Sequence, residues 1–368
     1  MADLRGLAPM PVNPRIDDNR RLEEPAGPAF GQAFTEHLVS LEWTSARGWH
    51  DPGLRELHAL DWHPATVGLH YGQAVFEGLK AYRLPDDGMG LFRPEAHGRR
   101  LQASARRLCL PVLPVDLFTA AVTRLVTADA HLLPDGPGLS LYLRPLLYAA
   151  DESLALRPGR RCRFLVMAFV TEGFFGPDVR PIRVWVNERS ARAVPGGTGA
   201  VKYAGNYATS YAAQEEANAQ DCDQVVWLDA LERRWIEELG AMNVFFVYGS
   251  GSDARLVTPP LDGNILPGIT RDSVLTLADH LGYRTEQRRI SVDEWRVGCG
   301  TGEITEVFAT GTAAGVSPVG DVRSRTRDWT VGNGRPGPIT TTLHRELRRI
   351  QRGQRRTPAW MHRVTEVS

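Results

Sequence analysis

Gly196-Gly197-Thr198-Gly199-Ala200-Val201-Lys202-Tyr203-Ala204-Gly205-Asn206-Tyr207 is the stretch around which the rest of the chain is read. Of 43 Lys+Arg residues only two are lysine, Lys80 and Lys202; the other 41 are arginine. A chain that writes arginine wherever a cation will serve keeps lysine where arginine cannot act. An amine can lose its proton, become a nucleophile and form a Schiff base, whereas a guanidinium stays charged. Lys202 also sits in a glycine-rich, nearly uncharged run, where backbone can wrap closely round a ligand and desolvation lowers an amine's pKa. A lysine after glycines equally suits a plain helix start beside a loop. The surrounding chain decides between the two.

At 368 residues the chain is long for one core, and about 150 residues per domain predicts two domains. Formal net charge is +0, so no global field recruits nucleic acid or an anionic membrane. The one basic cluster, Leu343 to Arg356 (LHRELRRIQRGQRR), spaces Leu343, Leu347 and Ile350 as a helix with a solvated basic face. Cys109, Cys162, Cys222 and Cys299 are scattered with no C-x-x-C spacing, which fits reduced thiols in a cytosol. The ten histidines form no helical ligand pair, and no metal is expected. With no apolar leader and no apolar run beyond strand length, the expectation is a cytoplasmic protein without membrane or nucleic-acid partners.

Residues 1–30 read as a polar, proline-rich arm and residues 31–172 as a smaller domain. Strands are expected at Phe34–Trp43, Phe76–Leu84, Leu139–Tyr148 and Arg163–Val170, with helices from Pro94 and from Asp116 to Leu132 between them. This order of strands, two helices and strands is an α+β pattern. The Gly173–Asp178 run breaks the periodicity, and residues 173–181 are the expected linker. Residues 182–368 form the larger domain, with strands Ile182–Asn187, Gln224–Leu228 and Glu303–Thr310 and helices Asn206–Asn218 and Thr270–Leu281.

A lysine working through pyridoxal phosphate needs a phosphate cradle, a carboxylate for the pyridine nitrogen and a donor to the ring hydroxyl. Leu266-Pro267-Gly268-Ile269-Thr270 runs straight into a helix, so the Ile269 and Thr270 amides face out of a positive helix end. Thr312, in a glycine-flanked turn after a strand, is a second phosphate candidate. Glu237-Glu238 stands in an apolar stretch, where an inward carboxylate wants a cationic partner; an exposed acidic pair on a turn is the alternative.

Eight motifs in order are similar to the branched-chain aminotransferases, fold type IV among pyridoxal phosphate enzymes. They are EGLKAYR (77–83), LFRP (91–94), RRLCLP (106–111), LYLRP (141–145), PGGTGAVKYAGNY (195–207), DQVVWLDALERRWIEELGAMN (223–243), LPGITRDS (266–273) and EITEVFATGTAAGVSPV (303–319). The resemblance runs from about Phe34 to the C-terminus. It implies an α+β fold of two domains and a pyridoxal 5'-phosphate held covalently by Lys202, which also moves the substrate proton. Tyr207 resembles the phenol at the ring oxygen, Glu238 the carboxylate at the ring nitrogen, and Arg100 the phosphate-binding arginine. Ile269, Thr270 and Thr312 match the rest of the phosphate site, and Arg192 lies in the match without a settled role. Tyr142, with the backbone about Thr312 and Ala313, resembles the α-carboxylate site. Arg144 resembles the arginine for glutamate's distal carboxylate, expected at the pocket edge with solvent or a neighbouring acid as its other company. Phe76, Tyr71, Met242, Leu154 and Leu156 would line an apolar side-chain pocket. Tyr71, Leu154 and Leu156 would be lent by a second subunit, which makes a homodimer the working unit.

Three positions depart from the family pattern: Phe174 replaces a common tyrosine, Ala241 a common threonine, and no C-x-x-C follows Thr312. The implied activity interconverts leucine, isoleucine and valine with their 2-oxo acids against the glutamate/2-oxoglutarate pair. D-amino-acid aminotransferases and aminodeoxychorismate lyases share the fold type and are the alternatives. Arg144 and the apolar pocket favour the first reading.

Overall fold

The two longest strands, β6 (Ser140–Ala149) and β7 (Arg161–Thr171), are apolar on both faces and pair antiparallel along their whole length at the middle of the first sheet. The computed structural model describes residues 30–136, 138–172, 179–355 and 360–364. Before β6 come β1 (His37–Thr44), β2 (Gly48–Glu56), β3 (Ala74–Phe76), β4 (Leu79–Arg83) and β5 (Met89–Phe92), with helices α1 (Val67–His70), α2 (Pro94–Arg107) and α3 (Val115–Ala128). Phe118, Val122 and Leu125 of α3 are fully buried in the core of this half, together with Leu101 of α2.

The second half contributes β8 (Ile182–Asn187), β9 (Gln224–Leu228), β10 (Ile236–Leu239), β11 (Asn243–Tyr248), β12 (Arg255–Thr258), β13 (Arg284–Gln287), β14 (Ile304–Gly311), β15 (Gly315–Arg323) and β16 (Trp329–Thr330). Its helices are α4 (Gly205–Ala208), α5 (Tyr211–Asn218), α6 (Ile269–His280), α7 (Val292–Thr301) and α8 (Pro338–Gln351), and a last strand, β17 (Met361–Val364), follows. The sheet order is β10-β9-β8-β15-β14-β11-β12-β13, with β16 beside β15. The first sheet runs β17-β5-β4-β6-β7-β1-β2, with β3 also on β6. At the end of the range expected as the larger domain, 182–368, β17 crosses back and pairs with β5 in the first sheet.

Three further differences from the sequence reading have physical causes. The strand expected over Phe76–Leu84 is broken at Glu77-Gly78, where Glu77 turns into a buried ion pair and Gly78 passes so close to Tyr142 that a Cβ there would meet its hydroxyl. The helix expected over Asn206–Asn218 splits into α4 and α5, since Thr209 and Ser210 hydroxyls bond back to the Asn206 and Tyr207 carbonyls. Helix α7 has no counterpart in the sequence reading, although Ser291 caps it by accepting the Glu294 amide at 3.0 Å. The arm lies outside the described residues except for Phe30, as does most of the expected linker, 173–178. No helix among the described residues is long and apolar enough to cross a membrane.

Candidate active site

The glycine stretch is tied down from both halves. Thr198 and Asn206 bond to each other at 2.6 Å, and the Asn206 amide donates to the Thr198 and Val201 carbonyls. Arg107 of α2 holds the carbonyls of Gly196 and Gly197. Gly199 passes so near the Asn264 carbonyl that any Cβ would collide with it, which explains that glycine. The Lys202 backbone is then fixed by Ser104 Oγ, which accepts its amide at 3.0 Å, and by the Phe76 amide, which donates to its carbonyl at 3.1 Å. So placed, Lys202 Nζ donates to the Tyr207 hydroxyl at 2.8 Å and lies over the Phe76 ring. Lys202 and Tyr207, both expected at a cofactor from the sequence, thus stand side by side.

One cleft collects most of the other candidates. Its wall includes Phe76, Arg100, Tyr142, Arg144, Lys202, Tyr207, Ala241, Met242, Ile269, Thr270, Thr312 and Ala313. At one end α6 presents its first amides, with Gly268 as the residue before the helix. Gly268 has no room for a side chain because Asn243 Oδ1 would lie 1.9 Å from its Cβ, and Asn243 in turn donates to the Leu266 carbonyl. Arg100 arrives there from α2. Its Nε and one terminal nitrogen grip Glu77 at 2.7 and 2.8 Å, and the other terminal nitrogen donates to the Pro267 carbonyl at 3.2 Å. A guanidinium has five N–H donors, so two remain for an anion at the helix end. Burial pushes Glu77 up, but Arg100 and His97 outweigh it and hold the carboxyl well below the usual range. Glu77 and His97 carried no functional signal in the sequence beyond Glu77's place in the EGLKAYR motif. They set Arg100's aim.

Glu238 is 3% exposed. Its Oε1 accepts the Leu266 amide at 2.7 Å and its Oε2 forms an ion pair with Arg192 Nε at 3.0 Å. Burial pushes the Glu238 carboxyl up, and Arg192 is the main opposing influence. This gives Arg192 a place: it partners Glu238 and also reaches the Gly199 and Asn264 carbonyls. Glu237, next door on β10, points elsewhere but is buried too, with Oε1 bonded to Asn264 and Oε2 without a partner among the described residues. Burial pushes its carboxyl up to about 7. The alternative of an exposed acidic pair is therefore not what forms.

Toward the substrate side, Arg144 was expected at the pocket edge with solvent or an acid. It lines the cleft half-buried, with its guanidinium 4.8 Å from the Phe76 ring centre and 5.6 Å from that of Tyr142, and among the described residues its buried Nε has no hydrogen-bond partner. Phe30 joins the wall, edge-on to Tyr142 at 4.9 Å, a contribution the sequence did not signal. Tyr71, Leu154 and Leu156 are not in this cleft. They lie on the surface, 45%, 52% and 87% exposed, with the Tyr71 hydroxyl donating to the Leu154 carbonyl. Phe174 lies outside the described residues.

A lysine amine beside a phenol, a helix-end anion cradle backed by an arginine, and a buried carboxylate–arginine pair, all between two α+β halves, define an enzyme that works through an amine and a phosphorylated group. The family comparison agrees: residues 74–322 match the profile of amino-transferase class IV, and the chain belongs to that family. It is similar to the branched-chain-amino-acid aminotransferase of Mycolicibacterium smegmatis, 48% identical over 92% of this chain and 93% of that one. The crystal structure of the Escherichia coli branched-chain amino acid aminotransferase superposes with a TM-score of 0.76 at 26% identity, covering 90% of this chain and all of the other. The branched-chain amino acid aminotransferase from Thermobaculum terrenum, in its PLP-bound holo form, matches with a TM-score of 0.69 at 25% identity, over 90% and 99% of the two chains.

Proposed function

We infer that the protein is a pyridoxal 5'-phosphate-dependent branched-chain aminotransferase, interconverting leucine, isoleucine and valine with their 2-oxo acids and using 2-oxoglutarate and glutamate as the other pair. The observation that carries this reading is Lys202 Nζ, 2.8 Å from the Tyr207 hydroxyl, at the wall of a cleft that Phe76, Tyr142, Arg144 and Met242 also line. The residues present fit the cofactor. Among the described residues Arg100 keeps two unused N–H donors beside the α6 amides, and Thr310 Oγ1 is buried in the cleft wall without a partner. Arg100, Ile269, Thr270 and Thr312 would hold the phosphate, Tyr207 the ring oxygen and Glu238 the ring nitrogen.

When bound, pyridoxal phosphate supplies a conjugated electron sink for the electrons left at the substrate Cα. The chain's own residues do the rest. Lys202 Nζ, once freed, takes the Cα proton, and the Tyr207 hydroxyl keeps that amine aimed. Glu238, its charge steadied by Arg192, favours a protonated ring nitrogen, so positive charge sits where electron density grows. Tyr142 and the backbone about Thr312 and Ala313 receive the α-carboxylate. Phe76 and Met242 offer apolar area to an aliphatic side chain, and Arg144 pairs with glutamate's distal carboxylate. Donor and acceptor use one site in turn, a ping-pong scheme.

A cytoplasmic homodimer completes the reading. What supports the dimer is the exposed apolar patch of Tyr71, Leu154 and Leu156, which is available to be lent to a neighbour's cleft. A panel of amino donors scored by the cofactor's spectral change tests the specificity. Leucine, isoleucine and valine should react with 2-oxoglutarate as acceptor. Reaction with D-amino acids alone, or pyruvate release from aminodeoxychorismate, would reassign the enzyme to one of the alternatives.

A further inference from the structure

Helix α3 packs on β1, and where the helix ends beside the first residues of the strand, three side chains of metal-binding type meet. Glu36 precedes β1, His37 opens it, and Asp129 follows α3. One ligand atom from each lies within 4.8 Å of the other two, and among the described residues no other three such side chains are so placed. None of the three lines the active-site cleft.

Asp129 is fully buried, and its partners among the described residues both belong to His37. Its Oδ1 stands 2.5 Å from the ring Nδ1, and its Oδ2 accepts the His37 amide at 3.3 Å. A second carboxylate, Glu36, stands beside this pair, with His131 Nε2 3.4 Å from its Oε2. Two carboxylates held this close repel, the more so where one is out of water, and a shared cation offsets that cost. One imidazole between them brings at most a single positive charge, whereas a divalent ion brings two and takes nitrogen and oxygen ligands alike. A carboxylate has about four lone-pair sites, so Glu36 can keep His131 and a further partner and still ligate an ion. Glu36 and His37 are both part-exposed, which leaves an ion a way in.

We propose that Glu36, His37 and Asp129 form a zinc-binding site outside the active-site cleft, with water completing a four-coordinate shell. The imidazole nitrogen selects zinc over magnesium, which prefers oxygen alone. Zinc–ligand bonds of about 2.0–2.1 Å set tetrahedral ligand atoms roughly 3.3 Å apart. His37 Nδ1 and Asp129 Oδ1 therefore open by less than about 1 Å, and the proton between them leaves to solvent as the metal enters. The bound ion staples the start of β1 to the end of α3. The expectation of no metal rested on histidine spacing along helices, but these ligands come from positions 92 residues apart that only the packing of α3 on β1 joins.

The test titrates the cofactor-loaded protein with zinc against a zinc-binding dye in phosphate-free buffer, and follows Tm at rising zinc concentration. Saturable binding of one zinc per chain is expected, with Tm raised by about 2 °C or more once the site is full. Glu36→Gln and His37→Gln should each weaken this binding at least about tenfold and lose the rise in Tm. Both positions are part-exposed, so these two variants carry the test if Asp129→Asn fails to fold. His362→Gln, which removes the histidine paired with Glu95, should bind zinc as the wild type does. Magnesium at the same concentration should not displace the zinc. The proposal is overturned if zinc does not bind saturably, if both ligand variants bind as the wild type does, if equimolar magnesium displaces the metal, or if His362→Gln loses as much binding as they do. Because the readout is binding, the result stands whether or not branched-chain transamination proves right.

Discussion

Replacing Arg144 with methionine separates the two kinds of substrate that one cleft must accept. The guanidinium lies across the Phe76 and Tyr142 rings, and among the described residues its buried Nε has no partner and no acid forms an ion pair with it, which leaves it able to receive a carboxylate. Its contact with the two rings, about 0.5–2 kcal/mol, is lost before any substrate binds and cancels when substrates are compared. What does not cancel is the charge-assisted hydrogen bond to glutamate's distal carboxylate, about 1.5–3 kcal/mol. At about 1.4 kcal/mol per factor of ten, kcat/KM for glutamate and 2-oxoglutarate should fall about 10- to 100-fold. Methionine keeps the apolar cover over Phe76, so leucine should lose no more than about threefold. Stopped-flow measurement of the two half-reactions separately gives both numbers. Equal losses for leucine and glutamate would mean that Arg144 supports the site as a whole, and the dual-recognition argument would fall.

With Glu238 in the proposed role at the ring nitrogen, Glu238→Gln should lower kcat about 10²-fold or more; a kcat close to wild type would remove Glu238 from that role. Glu237→Gln should be mild in kcat but not in pH behaviour. The folded state binds the Glu237 proton more tightly than the unfolded chain does, so stability is lost as pH rises from the ordinary value of 4.5 through about 7. Urea melts should therefore show Glu237→Gln gaining on the wild type between about pH 5 and about pH 8, and a pH-independent difference would refute the assignment. Glu77→Gln leaves the buried Arg100 without its counter-charge and should cost about 3–5 kcal/mol near neutral pH. Glu77's depressed carboxyl makes that stabilisation present above 4.5 and lost as pH falls toward its folded value. A loss under about 1 kcal/mol by denaturant titration would contradict the ion pair's role.

Much of this was legible in the sequence because the signals were local. The lysine among 41 arginines, the Pro-Gly entry to α6 and the apolar runs of β6 and β7 each owe their form to neighbours within a few residues. What sequence reasoning missed depends on contacts far along the chain. Glu77 meets Arg100 23 residues away, and Arg192 meets Glu238 across two strands. The return of β17 to β5 joins residues separated by most of the chain. Lys80 is conspicuous in the sequence only by its rarity, because nothing beside it shows that α8 brings two arginines over it.

The central claim is that Lys202, and not Lys80, carries the cofactor. Borohydride reduction of the cofactor-loaded protein, followed by proteolysis and mass spectrometry, tests it directly, since the chain offers only these two lysines. The account predicts that the phosphopyridoxyl mass appears on the peptide containing Lys202 and on no other. A label on Lys80 would contradict it.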